Sequence, residues 1–266
     1  MAKKKEDIKR TDLNNSMLKR VIIRADFTPM LDLESIVSDI NRQEWFKNKF
    51  NNYEKRLLAV KKGNEKEDEN ALDGKVVKRF DDCNIGPEKN VTLDIGSNFV
   101  IMEIKCDEKY DEINEYLKLF VNTLGHIITH DDYVKLERIA IRKTDGMESI
   151  DGNKADEVFE YFDQQIEDEG DRYTFRTYTD SFVCSKKEVS VNYNRTVRVV
   201  AATPPLFVFV LDIDTYLNRE QIASRRPNND ELWQMFYDRL NETSFELFKR
   251  GVKETYLNSI MKEQHE

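Results

Sequence analysis

The stretch that decides the fold is NVTLDIGSNFVIMEIKCDEKYDEINEYLKLFVNTLGHII, residues 90–128, in which a strand hairpin runs through an acidic turn into a long amphipathic helix. A second stretch repeats this order: VSVNYNRTVRVVAATPPLFVFVLDIDTYL, residues 189–217, precedes a helix that starts at about Asn229. Alternating apolar residues predict the strands, and apolar residues three and four apart predict the helices. The chain is therefore expected to have an α+β fold, with two similar antiparallel units of strand hairpin plus long helix that form one curved sheet packed by helices.

The length of 266 residues fits one α+β domain or two closely packed halves. We place the first unit at residues 1–150, with an N-terminal strand, and the second at residues 151–266, with the C-terminal helix. Residues 61–75, KKGNEKEDENALDGK, are charged and nearly free of large apolar side chains, which predicts a surface loop. The two units are expected to form one compact structure.

The composition argues against several classes of protein. A net charge of −9 and a pI near 5.2 oppose general binding to a phosphate backbone. Cys83, Cys106 and Cys184 have no CxxC spacing, so we expect reduced thiols rather than a zinc ribbon or a disulfide framework. The chain has no leader-like apolar segment and no apolar run of about 18 residues, so we expect a cytoplasmic protein without a membrane anchor.

The first hairpin can be read in detail. A two-residue turn at residues 96–97 pairs Asp94 with Phe99 and Asn90 with Glu103. Alternation then divides the side chains between a core face and a mostly solvated face. The core face carries Val91, Leu93, Ile95, Val100, Met102 and Ile104, and the solvated face carries Thr92, Asp94, Glu103 and Lys105.

Three residues of the solvated face match a catalytic motif. Asp94, Glu103 and Lys105 spell D-x8-E-x-K, the short form of the carboxylate–lysine motif of nucleases, in which two acids hold Mg²⁺ and the lysine polarises the phosphate. In the predicted register the two carboxylates lie roughly 13 Å apart, at about 3.3 Å per residue, which is too far for one ion. The motif is therefore interpreted as a solvated strand face, and a metal-dependent nuclease stays as an alternative.

A late strand carries a second pair of acids. Asp212 and Asp214 lie two positions apart, so their carboxylates project from the same face. Paired carboxylates can bind a cation or transfer protons, but no His, Lys or Arg motif accompanies these two. They are kept as candidates for binding a ligand or a partner.

Two histidines lie one helical turn apart. His126 and His130 have the i, i+4 spacing that can supply two metal ligands from one helix face. A closed zinc site needs further ligands, and the only other histidine is His265 in the C-terminal tail. We interpret both as surface histidines of the helix, and the sequence predicts no metal and no cofactor.

The C-terminal helix is the strongest candidate for an interface. Asn228 and Glu231 form an expected capping box at its start, and Thr243 and Ser244 interrupt its apolar stripe. It has more apolar surface than one sheet face needs, which favours dimerisation or partner binding. The partner-binding candidates are Trp233, Phe236, Tyr237, Phe245, Phe248 and Tyr256.

Four segments resemble, in order and spacing, a sporadically distributed bacterial family of uncharacterised proteins of similar length. They are VIIRADFTP at residues 21–29, ERIAIRKTDG at 137–146, FVFVLDIDTYL at 207–217 and FELFKRGVKETYLNSIMKE at 245–263. The resemblance covers nearly the whole chain, but residues 143–145 replace an aromatic-Asn stretch. It implies a bacterial cytosolic protein from the accessory gene pool, where defence and toxin–antitoxin modules are common, and it carries over no catalytic residue.

The sequence thus favours a non-enzymatic recognition or regulatory protein that acts through protein–protein contacts. Its expected partner is another protein or a second copy of the chain, and neither a membrane nor a nucleic acid is expected. A small-ligand-binding protein is the other alternative to this function, beside the nuclease.

Overall fold

The chain combines long antiparallel strands with helices. The computed structural model describes residues 3–13, 17–50, 52–58, 75–82, 91–106, 112–150, 157–160, 175–185, 187–200, 203–204 and 206–261. The strands are β1 (Leu18–Phe27), β2 (Asn52–Leu58), β3 (Lys75–Asp82), β4 (Val91–Gly96), β5 (Phe99–Lys105), β6 (Leu136–Ser149), β7 (Phe175–Cys184), β8 (Val189–Val200) and β9 (Leu206–Asn218). The helices are α1 (Leu33–Arg42), α2 (Glu44–Lys47), α3 (Glu112–His130), α4 (Asn229–Trp233), α5 (Glu242–Gly251) and α6 (Glu254–Ser259), and a π-helical segment, Gln234–Asn241, joins α4 to α5.

The strands of the described residues form one open sheet. Their order is β2-β3-β4-β5-β1-β6-β9-β8-β7, and every neighbouring pair is antiparallel. The predicted α+β class is confirmed. The pairing of β6 with β9 joins the strands of residues 1–150 to those of residues 151–266. The similarity of the two units stays a prediction.

The core lies on the face of the sheet that α3, the π-helical segment and α5 contact. Alternate residues of β1 point into it, since Val21, Ile23 and Ala25 have no exposed surface. The apolar stripe predicted for α3 is buried as expected, and its Phe120 ring packs edge-on against Phe236 with the centroids 5.3 Å apart. Each such large apolar side chain contributes about 1.5–3 kcal/mol when buried.

The predicted register of the β4–β5 hairpin is wrong by two residues. The turn lies at residues 97–98, so Gly96 pairs with Phe99 and Asp94 with Ile101. The Asn98 carbonyl accepts a hydrogen bond from the Phe27 N–H at the end of β1, and the Ser97 carbonyl accepts one from the Met30 N–H, three residues further on. These bonds hold the turn at this position. Gly96 lies under the Phe99 ring. A Cβ atom at position 96 would be only 2.5 Å from the nearest ring carbon. Because side chains alternate between the two faces, a register shift of two residues keeps every side chain on its predicted face. The six apolar side chains of the predicted core face are buried.

The residue types Thr144-Asp145-Gly146 predict a turn that ends a strand at residue 143, but β6 continues to Ser149. Thr144, Asp145 and Gly146 pair with Asp212, Leu211 and Val210 of β9. On the other side the Gly146 N–H donates to the Met17 carbonyl at 2.7 Å. Neighbouring backbone on both sides thus satisfies the polar groups of a segment whose side chains are typical of a turn.

Several predictions fall outside the described residues. Residues 61–74 of the predicted loop and Cys83 lie there, whereas Lys75 begins β3. Cys106 and Cys184 are free thiols. Among the described residues, no helix has the length and apolar character needed to cross a membrane.

Candidate functional site

The face of the sheet opposite α3 is polar, and we call it the open face. The alternation of β1, β6 and β9 that sends apolar residues to the core sends charged residues to this face. It includes Arg20, Arg24 and Asp26 of β1, Arg138 and Arg142 of β6, Asp212, Asp214 and Tyr216 of β9, Glu103 and Lys105 of β5, Asp94 of β4 and Asn194 of β8.

A chain of charge pairs crosses the open face. Arg24 Nε donates to Asp26 Oδ1 at 2.9 Å. Arg138 lies between two acids, with guanidinium nitrogens 4.0 Å from Asp26 Oδ2 and 3.3 Å from Asp214 Oδ2. The Arg138 guanidinium also lies over the Tyr216 ring, 4.8 Å from its centroid. Strand alternation thus produces one connected network across three strands.

The predicted ligand candidates belong to this network. Asp212 and Asp214 share a face, as expected, and each is paired with an arginine of β6. Arg142 Nε donates to Asp212 Oδ1 at 2.8 Å, and this hydrogen bond is the main reason why the pKa of Arg142 is raised. Burial raises the pKa of Asp214, although Arg138 and Arg142 oppose this effect. The two carboxylates thus share a face but bind different arginines.

In each pair of the open face, the arginine is the more exposed partner. The exposed fractions of arginine and acid are 48% and 33% for Arg20–Glu103, 42% and 24% for Arg24–Asp26, 34% and 19% for Arg138–Asp214, and 50% and 12% for Arg142–Asp212. In these pairs the guanidinium groups therefore offer a partner a larger exposed fraction than the carboxylates do.

The three residues of the nuclease motif also lie on the open face. With the corrected register, Glu103 is two residues, about 7 Å, beyond the cross-strand neighbour of Asp94. Arg79 binds both oxygens of Asp94, at 2.6 and 2.5 Å, and Arg20 binds Glu103 at 2.8 Å. Lys105 is exposed opposite Arg20. A Mg²⁺ ion would have to displace arginines from both carboxylates.

The aromatic candidates of the C-terminal segment divide into two sets. Phe236, Phe245 and Phe248 are buried in the core, with exposed fractions of 0%, 3% and 6%. Trp233, Tyr237 and Tyr256 are partly buried and pack against the same core. The proposed contact with a partner at these helices therefore depends on the second set, because the first set already has its apolar surface covered.

The histidines of α3 have an acidic neighbour that the sequence did not indicate. His130 Nδ1 lies 3.5 Å from Asp39 Oδ2 of α1, and the His126 and His130 rings stack with centroids 5.8 Å apart. Burial lowers the pKa of His126, the neighbouring His130 lowers it further, and Asp39 opposes both. Packing of α1 on α3 thus creates a His-His-Asp cluster.

A buried polar cluster was also missed by the sequence analysis. Lys143 and Asp145, both 3% exposed, point to the core side of β6. Lys143 Nζ and Arg10 Nη1 each donate to Asn241 Oδ1 at 2.6 Å. Asn241 ends the π-helical segment, a distortion that often marks functional positions. The only sign of this cluster in the sequence is the polar run after Ile141, which is also typical of a turn.

Comparison with known proteins assigns the chain to no family. No protein-family model matches the chain, and no curated protein matches it. The resemblance to a sporadic bacterial family stays a prediction.

Proposed function

We propose that the chain is a non-enzymatic recognition protein that acts in the cytoplasm by binding an acidic surface of another protein to the open face of its sheet. The observation that carries this proposal is the exposure of arginines above their paired carboxylates in β1, β5, β6 and β9. Arginine and tyrosine are among the residues that most often dominate the binding energy of protein interfaces, and Arg138 stacks on Tyr216 on this face.

The charge pattern favours a protein partner over a nucleic acid. Each central arginine of the open face is already paired with a carboxylate, so the face has little unpaired positive charge for a phosphate backbone. The net charge of −9 repels any acidic partner at long range, and this repulsion is greatest for a nucleic acid, which carries a charge at every phosphate. A folded acidic surface can instead form a few directed hydrogen bonds with the exposed guanidinium groups.

The test is affinity capture from the native host with the tagged full-length chain and a double variant, Arg24→Glu/Arg142→Glu. We expect the wild-type chain to recover an acidic protein in near-equimolar amount. The double variant should recover at least about tenfold less, because reversed charges would face the acidic partner.

The matched control is Lys47→Glu/Lys118→Glu, which makes the same change in net charge at exposed positions of α2 and α3. This control should recover the partner as the wild-type chain does. Equal capture by the open-face variant and the wild-type chain would contradict the proposal, as would equal losses in both double variants.

A second candidate function, binding of a small ligand, is favoured by a cleft of about 500 Å³ next to α3. Trp45, Asn122, Thr129 and Asn229 line it, so that one aromatic ring and several polar side chains converge there. A ligand of this cleft would raise the melting temperature of the chain in a library screen.

A further inference from the structure

Two histidines and an aspartate converge where α1 packs on α3. His126 and His130 lie on one face of α3, one turn apart, and Asp39 faces them from α1. One ligand-type atom from each residue lies within 4.8 Å of the other two. The Nε2 atom of His126 is buried and has no hydrogen-bond partner among the described residues. A buried imidazole nitrogen of this kind calls for an explanation.

The distances suit a small metal ion. An ion at the centre of a triangle with 4.8 Å sides lies about 2.8 Å from each corner, and bonds from zinc to nitrogen or oxygen are about 2.0–2.2 Å. Each ligand atom would therefore move by about 0.7 Å, which small rotations of side chains on the helix surface supply. The pair Asp39–His130 is already at 3.5 Å, close to the ligand separation of a tetrahedral site.

The donor set selects the type of metal. Two imidazoles and one carboxylate suit Zn²⁺, Fe²⁺ and neighbouring first-row ions, whereas Mg²⁺ and Ca²⁺ prefer oxygen ligands. Arg42, the cation beside Asp39, contacts Oδ1 at 3.4 Å, and Oδ2 faces His130. One carboxylate oxygen is thus directed towards the histidines.

The cluster adjoins the cleft described above, because His126 lines that cleft together with Asn122 and Thr129. We propose that Asp39, His126 and His130 bind one divalent transition-metal ion, with Zn²⁺ as the expected occupant, and leave a coordination position for a water or a small ligand in this cleft. Three protein ligands with an open position are typical of reactive zinc sites. The inference goes beyond recognition by the open face and does not depend on it.

The test uses the full-length chain without a histidine tag, stripped of metal by a chelator and titrated with ZnCl₂ in a calorimeter. We expect one Zn²⁺ per chain and a higher melting temperature with Zn²⁺. His126→Ala, His130→Ala and Asp39→Asn should each weaken binding by at least about 100-fold, since loss of a ligand exceeds the 10–100-fold effect of losing a supporting residue. Circular dichroism of each variant shows whether it folds.

Two controls separate this site from other sources of zinc binding. His265→Ala removes the only other histidine of the chain, and Asn122→Ala removes a cleft residue that is not a ligand. Both should keep the wild-type affinity and stoichiometry. The inference is overturned if folded His126→Ala binds zinc as the wild-type chain does, if His265→Ala abolishes binding, or if the wild-type chain binds less than one ion.

Discussion

Lys143→Ala is expected to lower the free energy of unfolding by about 2–5 kcal/mol, the range for truncating a long buried side chain to alanine. Lys143 is 3% exposed, and its Nζ donates to Asn241 Oδ1 at 2.6 Å. The substitution leaves a cavity on the core side of β6 and removes this hydrogen bond to Asn241. Urea denaturation at pH 7 measures the loss.

The control for this prediction is Lys143→Met, which keeps most of the volume but cannot donate a hydrogen bond. Burial lowers the pKa of Lys143 well below its usual value, and the charge of Arg10 lowers it further, so the ammonium form is costly at this site. Arg10 still donates to Asn241 Oδ1 in this variant. We expect less than half the loss seen with alanine. An equal loss in both variants would show that the amine, rather than packing, dominates the contribution of Lys143.

Asp145 is expected to make the stability of the chain fall as the pH rises from about 4 to 7. Burial raises the pKa of its carboxyl from 3.8 to about 7, although Lys143 and Arg10 oppose this effect. In that window the unfolded chain has lost a proton that the folded chain keeps, so each step up in pH favours unfolding. Lys143 acts in the opposite sense: its lowered pKa makes stability rise as the pH approaches 10.5.

Comparison with Asp145→Asn isolates this contribution, because the amide does not titrate. Relative to the wild-type chain, the variant should gain about 3–4 kcal/mol of unfolding free energy between pH 4 and pH 7, at about 1.4 kcal/mol per unit of pKa difference. The measurement is urea denaturation of both proteins at several pH values. Parallel curves for the two proteins would mean that Asp145 is ionised in the folded chain throughout this range.

The alternation of apolar and polar residues along the strands predicted much of the fold, because it depends on which face of a strand is buried. It placed all six apolar residues of the β4–β5 hairpin correctly. It did not fix the register, since a shift by two residues leaves every face unchanged. The register instead depends on contacts of the turn with the end of β1 and with Met30, through the carbonyls of Asn98 and Ser97. Such long-range contacts leave no local pattern in the sequence.

The polar residues of β6 illustrate a second limit of prediction from local sequence preferences. Thr144, Asp145 and Gly146 have the local preferences of a turn, yet both neighbouring strands satisfy their backbone groups. The carboxyl group that this places in the core lies near Lys143 and Arg10, which lower its pKa against the effect of burial, and Arg10 comes from a distant part of the chain. Tertiary structure thus overrode local preference here.

The candidate sites show the same division between local and tertiary information. The i, i+4 spacing of His126 and His130 was visible in the sequence, but Asp39 approaches them only because α1 packs on α3. The shared face of Asp212 and Asp214 was likewise predicted. Their arginine partners were not, because Arg138 and Arg142 come from a strand about 70 residues earlier, as the sequence separation of the Arg142–Asp212 bond shows.

Site-specific photo-cross-linking in the native host tests most directly whether the open face binds the partner. A photoreactive phenylalanine analogue would replace Asn194, which lies opposite Asp212 on the open face, or Glu115, which is exposed on α3. The proposal predicts a cross-linked adduct with an acidic protein from position 194 and none from position 115. Adducts from position 115 alone would place the partner on the helices and contradict recognition through the open face.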